Sequence, residues 1–275
     1  MSNPVTTFAA AQLLRFIPRV RLSRAVGKLC EQEIPPALSD VASKLYARAY
    51  GVNLEEAAPG VAPYRSFDEF FTRKLRDGAR VVADSPIISP SDGKLVAVGN
   101  VTPESSIIVK GRPYDVAELC GSTAAAKTYK NGEFCVVYLH PRDYHRVHAP
   151  VAGTISMVRS LPGDLFPVNS IGERHVPKLF VRNQRVAISI QSATLGEVTV
   201  ILVGATIVGR ISTTVLGGPS TPVGDHHLNP PVAVAQGDEV GVFHLGSTVV
   251  LMFEGQDRLS RATGPVRFGE SLVRR

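Results

Sequence analysis

No aspartate or glutamate precedes Glu31, no long run of the chain is uniformly apolar, and cysteine is scarce; each shortage narrows what the protein can be. Arg15, Arg19, Arg21, Arg24 and Lys28 fall in that acid-free opening, interleaved with Leu13, Leu14, Phe16, Ile17, Val20, Leu22 and Val26. Such a basic, apolar stripe suits a membrane interface, and equally a surface helix packed on its own domain. A cleaved targeting peptide fits poorly, because the charges follow the apolar "VTTFAAAQLL" instead of preceding it. No window reaches the ~18–20 consecutive apolar residues that a spanning helix requires. The longest candidate, "VTVILVGATIVG", is interrupted by Gly204 and Gly209, stops at Arg210, and reads as buried strand. Three cysteines, Cys30, Cys120 and Cys135, make no metal-type pair and leave an odd count, so we expect no disulfide framework, no zinc site and a reducing compartment. A Gly-x-Ser-x-Gly elbow is also missing, which argues against a serine hydrolase.

What is present divides the chain in two. The first ~80 residues carry helical pattern and punctuation. "PPALSDVASKLYARAYG" opens after prolines and closes on Gly51, and "YRSFDEFFTRKLRDG" places Ser66 and Glu69 as a capping box with Gly78 at its end. From about Val81 short β-rich runs divided by Gly, Pro and Asn take over, among them "KLVAVGNV", "FCVVYL", "RVAISI", "EVGVFHLG" and "TVVLMF". "YDVAELCG" is a helical exception, and Leu216 to Gln236, rich in Gly and Pro, reads as a long loop. The expectation is an α+β protein: a helical, membrane-associating region over 1–80 and a β-rich domain over 81–275. The net charge of +6 is moderate and fits nucleic acid, anionic lipid or neither; its distribution, gathered in the opening stripe, says more than its size.

Three short constellations carry chemistry. Asp92 lies in "SPSDGKL", where Asp-Gly is on its own a turn signal. "YLHPRDYHRVHAP" gathers His145 and His148 with Asp143 and Tyr144, dense for a mere connection; no third ligand stands at a metal spacing, so proton handling is the more economical role. In "HLGSTVV", Gly246, Ser247 and Thr248 stand at the mouth of a β-branched run, either as a hairpin turn or as a reaction site in the backbone itself. A carrier domain of the lipoyl type is a third possibility, but Lys94 and His244 are poor candidates for a modified hairpin tip.

Together "SPSDGKL", "GRPYDVAELCG", "YLHPRDYHRVHAPVAG", "PGDLFPVN", "ILVGATIVG" and "HLGSTVV" resemble the phosphatidylserine decarboxylase proenzymes, in order and in register, and "YRSFDEFFTRKLR" is similar to the helix before the catalytic domain in the longer bacterial and mitochondrial type. The resemblance implies that Ser247 attacks the carbonyl of Gly246, converting amide to ester. Elimination then cuts the chain, leaving a fragment 1–246 (β-chain) and a fragment of 275 − 246 = 29 residues (α-chain) that begins with a pyruvoyl group made from Ser247. It implies His148 as the base, oriented by Asp92, and we assign His145 as proton donor in the decarboxylation. The substrate amine would form a Schiff base with the pyruvoyl ketone, carbon dioxide would leave, and phosphatidylserine would become phosphatidylethanolamine. The implied partners are the bilayer substrate, a membrane surface held peripherally on the cytoplasmic face of the bacterial inner membrane, and a β-chain/α-chain heterodimer with further dimerisation open. No metal and no nucleic acid are implied.

Overall fold

The chain crosses between two sheets within four residues, and that crossing organises the molecule. In the computed structural model, which describes residues 19–60, 62–168, 170–206, 210–246, 248–255 and 258–273, three N-terminal helices precede the sheets. These are α1 (Arg19–Glu31), α2 (Pro36–Tyr50) and α3 (Phe67–Phe71). Ser66 caps α3 as expected, its hydroxyl accepting from the Glu69 N–H at 3.1 Å, while the Glu69 carboxylate reaches back to the Arg65 N–H at 2.6 Å. The helix ends at Phe71, well short of Gly78. Lys74 and Arg76 are drawn into backbone hydrogen bonds with Ala58 and Glu56, which pulls the segment out straight.

The larger sheet has eight antiparallel strands in the order β10-β6-β7-β8-β12-β4-β1-β13. Its members are β1 (Gly93–Asn100), β4 (Glu133–Tyr138), β6 (Gly153–Leu161), β7 (Arg185–Ser192), β8 (Gly196–Val203), β10 (Gly224–Val234), β12 (Thr248–Phe253) and β13 (Gly264–Val266). β5 (Arg146–His148), β11 (Glu239–Phe243) and β9 (Ile211–Thr213) make a second sheet in the order β5-β11-β9, and β2 (Ser106–Val109) pairs with β3 (Arg112–Asp115). β12 lies in the middle of the large sheet, with every residue from Thr248 to Phe253 buried and paired on both sides. Full burial of such side chains contributes roughly 1.5–3 kcal/mol each. This explains why "TVVLMF" is a continuous apolar run with no alternation.

The architecture is α+β and β-rich. The apolar run at 198–209 ends as strand at Val203; Ile207 to Gly209 lie outside the described residues. The expected loop over 216–236 is largely the edge strand β10. Its prolines, Pro230 and Pro231, fall where the register shifts between His227 and Val232, so their missing N–H groups interrupt no ladder. The three cysteines are unpaired thiols. Met1 to Pro18, and with them Arg15 and most of the apolar residues of the opening stripe, lie outside the described residues. Arg19 turns inward instead of outward: it forks onto Asp164 at 3.0 and 2.6 Å and lies 3.9 Å above the Phe166 ring.

The glycine of "SPSDGKL" does more than turn the chain. Gly93 sits at φ 153°, and a Cβ there would collide with the Tyr138 carbonyl oxygen where β1 meets β4. Gly93→Ala is expected to lower stability by at least ~2 kcal/mol, whereas Gly99→Ala, with only the edge of the Phe134 ring nearby and an ordinary φ, costs less. Urea midpoints of the two variants check this; equal midpoints contradict it.

Candidate active site

The sheets position the histidines before any chemistry is invoked. β5 pairs with β11, and one residue earlier the His145 carbonyl accepts from the Phe243 N–H at 3.0 Å, which places His145 beside the segment running to Gly246. From Phe243 the chain leaves the three-stranded sheet, and at Thr248 it enters the eight-stranded one. Leu245, in between, has φ 89°, a conformation that costs a non-glycine residue about 1–3 kcal/mol and clusters at functional sites. Ser247 itself lies outside the described residues; its neighbours Gly246 and Thr248 do not.

His145 is fully buried. Its Nδ1 is 2.8 Å from the Asp143 carbonyl oxygen, which can only accept, so Nδ1 carries the proton and the lone pair is on Nε2. That Nε2 has no hydrogen-bond partner among the described residues, and a Cβ built on Gly246 would lie 2.9 Å from it. The Phe71 ring packs against the imidazole with centroids 4.1 Å apart. Burial, reinforced by the nearby Arg73 cation, pushes the His145 pKa down to about 3, so the ring is neutral at ordinary pH.

His148 is also buried, and burial lowers its pKa. Nδ1 donates to the Gly237 carbonyl at 2.8 Å and Nε2 accepts from the Tyr144 hydroxyl at 3.1 Å, a phenol whose own pKa burial pushes up. Asp92 is occupied elsewhere. Arg80 forks onto it at 2.9 and 2.5 Å, and the Phe268 N–H donates to Oδ1 at 2.9 Å. The Phe268 ring in turn stacks on His148 at 3.7 Å. Among the described residues Asp92 and His148 therefore meet through Phe268 and share no hydrogen bond. Tyr144 lay within a motif already singled out; Arg80 and Phe268 carried no signal, because both act on Asp92 through folds of the chain that local sequence does not encode.

A cavity of about 350 Å³ opens onto the junction, lined by Val26 and Cys30 of α1, Tyr46 of α2, Phe71 of α3, Leu139 and Gly246. It is mostly apolar and reaches Gly246, the glycine that His145 Nε2 adjoins. No group of three or more His, Cys, Asp or Glu side chains placed to hold a metal occurs among the described residues.

A bent backbone junction at Leu245–Gly246, with the Nε2 of a buried imidazole beside it, thus borders a mostly apolar cavity. The family model for phosphatidylserine decarboxylase matches residues 67–274. A phosphatidylserine decarboxylase proenzyme of Acinetobacter baylyi is 40% identical over 273 residues, covering 96% of this chain and 94% of the relative. One from Acinetobacter baumannii is 41% identical over 254 residues, 90% of this chain and 87% of its own, and one from Anaeromyxobacter sp. is 38% identical over 273 residues, 94% and 95%. The chain belongs to the phosphatidylserine decarboxylase family, and the enzyme class expected from its motifs holds.

The histidine makes stability depend on pH. An unfolded histidine titrates near ~6.5, and the folded value of His145 is lower, so acid protonates the unfolded chain first. The stabilisation from neutral His145 is complete above the unfolded value and is lost progressively as pH falls from there toward 3. At pH 5 the loss amounts to about 2 kcal/mol. Denaturant titrations of the parent and of His145→Gln at pH 7 and pH 5 should show the smaller acid loss in the variant; equal losses contradict the neutral, buried imidazole.

Proposed function

We propose that the chain is synthesised as a precursor, cuts itself between Gly246 and Ser247, and uses a pyruvoyl group made from Ser247 to convert phosphatidylserine to phosphatidylethanolamine and carbon dioxide. The observation that carries this reading is the His145 Nε2 lone pair beside Gly246, buried and without a partner among the described residues. A buried, unsatisfied acceptor is costly, and it persists where a reacting group uses it.

Cleavage needs a hydroxyl to attack an adjacent carbonyl. The left-handed turn at Leu245 and the glycine after it favour the bend this requires. The proton released goes to a base, the role proposed for His148, with Asp92 acting on it by fixing Phe268 over the ring. After the cut, the smaller fragment would stay woven into the sheet through β12, paired on both sides, and through β13. The product is thus a heterodimer of fragments 1–246 and 247–275.

The residues present fit such a group: the cavity that reaches Gly246 is mostly apolar, and the neutral His145 imidazole lies beside that glycine. A pyruvoyl ketone supplies an electron sink for the pair left behind when carbon dioxide departs. His145 does the proton work. A proton that reaches Nε2 from solvent would pass readily to the carbon that lost carbon dioxide, because the ring holds it so poorly.

The N-terminal helices support a substrate that stays in a bilayer. α2 buries Ser39, Ser43 and Ala47 and exposes Leu38, Val41 and Leu45, the reverse of a helix facing water. α1 exposes Leu22 and Leu29 among Arg21, Arg24 and Lys28. The same helices also line the cavity that reaches Gly246, through Val26, Cys30 and Tyr46. No helix among the described residues is long and apolar enough to cross a membrane. The exposed apolar faces of α1 and α2, with the basic residues of α1, support peripheral attachment, proposed at the cytoplasmic face of the bacterial inner membrane.

Ser247→Ala is expected to remain full length and inactive. His148→Ala and Asp92→Ala should slow cleavage, whereas His145→Ala should cleave and lose decarboxylation by roughly 10²- to 10⁴-fold. Gels beside a carbon dioxide release assay read both steps. An uncut Ser247→Ala protein with full activity overturns the proposal, and normal cleavage in both His148→Ala and Asp92→Ala overturns the assignment of roles. A Leu38→Ser/Leu45→Ser double variant should weaken sedimentation with phosphatidylglycerol/phosphatidylethanolamine vesicles while leaving cleavage intact; unchanged sedimentation contradicts the docking face.

A further inference from the structure

Arg73, just beyond the end of α3, is an arginine without an acid among the described residues. It is 5% exposed, and its ion pairs with the described carboxylates number none: Arg80 takes Glu56 and Asp92, Arg261 takes Glu270, and Asp143 lies nearest Arg142. What holds its guanidinium is slight. Nη2 makes a long bond of 3.4 Å to the Arg142 carbonyl, the Phe70 ring lies 5.6 Å away, and Nε has no partner among the described residues. Burial accordingly pushes its pKa down. An uncompensated buried cation is strongly destabilising unless something of opposite charge completes it.

Arg73 lines a cavity of about 380 Å³ on the far side of the Asp143–Tyr144 segment, whose next residue is His145. Five guanidiniums, those of Arg73, Arg80, Arg142, Arg261 and Arg267, face four carboxylates there, and the surplus charge is that of Arg73. The walls are polar, and Arg142 and Arg267 stand at the rim with their side chains 60% and 62% exposed, free to turn onto an occupant. A planar, permanently charged fork in a polar hollow matches the oxygens of phosphate.

We propose that this cavity is a phosphate-anion subsite, with Arg73 as its buried anchor and Arg142 and Arg267 closing on the anion from the rim. The subsite needs neither the cleavage at Gly246 nor a pyruvoyl group, so it stands apart from the reading above. The anion has two sources, the phosphodiester of a phospholipid headgroup or free inorganic phosphate. Because Arg73 already acts on the His145 imidazole, an anion on Arg73 would be felt at the reaction centre.

The test measures melting temperature and calorimetric binding of the purified full chain with inorganic phosphate and, separately, with sn-glycero-3-phosphoserine. At least one should raise the melting temperature of the parent. A response to the diester alone identifies a headgroup subsite, and a response to inorganic phosphate identifies a free-anion site; either supports the proposal. Arg73→Met, which removes a buried charge that has no acid partner, should fold and bind the effective probe on the order of 10- to 100-fold more weakly. Arg73→Lys keeps the charge without the fork and should also bind more weakly. Failure of both probes to shift the parent, or parental affinity in both variants, overturns the proposal.

Discussion

Between Phe243 and Thr248 the chain must leave a three-stranded sheet and enter the centre of an eight-stranded one, and the rest of the site depends on how that short crossing is held. Both ends are fixed by ladders: β11 by β5 and β9, β12 by β8 and β4. The bend is forced into Leu245 and Gly246, and Leu245 takes the strained φ. The same pairing that fixes β11 fixes His145, whose carbonyl and Nδ1 are both tied to backbone groups. An imidazole held this way keeps one tautomer and one orientation, with its open nitrogen against the crossing. Strain, burial and an acceptor unsatisfied among the described residues thus fall on the same few atoms.

The electrostatics around this point are arranged in two layers. The inner layer is neutral, made of two histidines deprived of protons by burial. The outer layer is charged and paired, with Arg80 bridging Glu56 and Asp92. Asp92 links the layers through the Phe268 backbone, whose ring covers His148. A carboxylate placed directly against His148 would favour its protonated form; holding Asp92 one ring away leaves the imidazole neutral and able to accept a proton.

Much of this was legible in the sequence, for physical reasons that vary by element. Ser66 and Glu69 announced a helix start because capping is local chemistry, but the end of α3 was set by hydrogen bonds to Glu56 and Ala58, which no helix signal reveals. "TVVLMF" and "VTVILV" read as strands because both faces are buried. "GDHHLNPPVAV" read as loop because its prolines are tolerated only at an edge strand with a register shift, a property of the sheet rather than of the segment. At the site, residue types in short motifs pointed to Asp92, His145 and His148. Their partners, Arg80, Phe268 and Phe71, follow from the tertiary fold. The outward leucines of α2 were hidden for the opposite reason: an apolar stripe in sequence does not say whether it faces a core or a membrane.

The central claim is that the main chain at Gly246–Ser247 is the reacting bond. Intact mass spectrometry of freshly purified wild-type protein tests it most directly. Two species corresponding to 1–246 and 247–275, the smaller lacking a free N-terminal amine and gaining mass on borohydride reduction, are expected. A single polypeptide of 275 residues that releases carbon dioxide from phosphatidylserine would contradict the account.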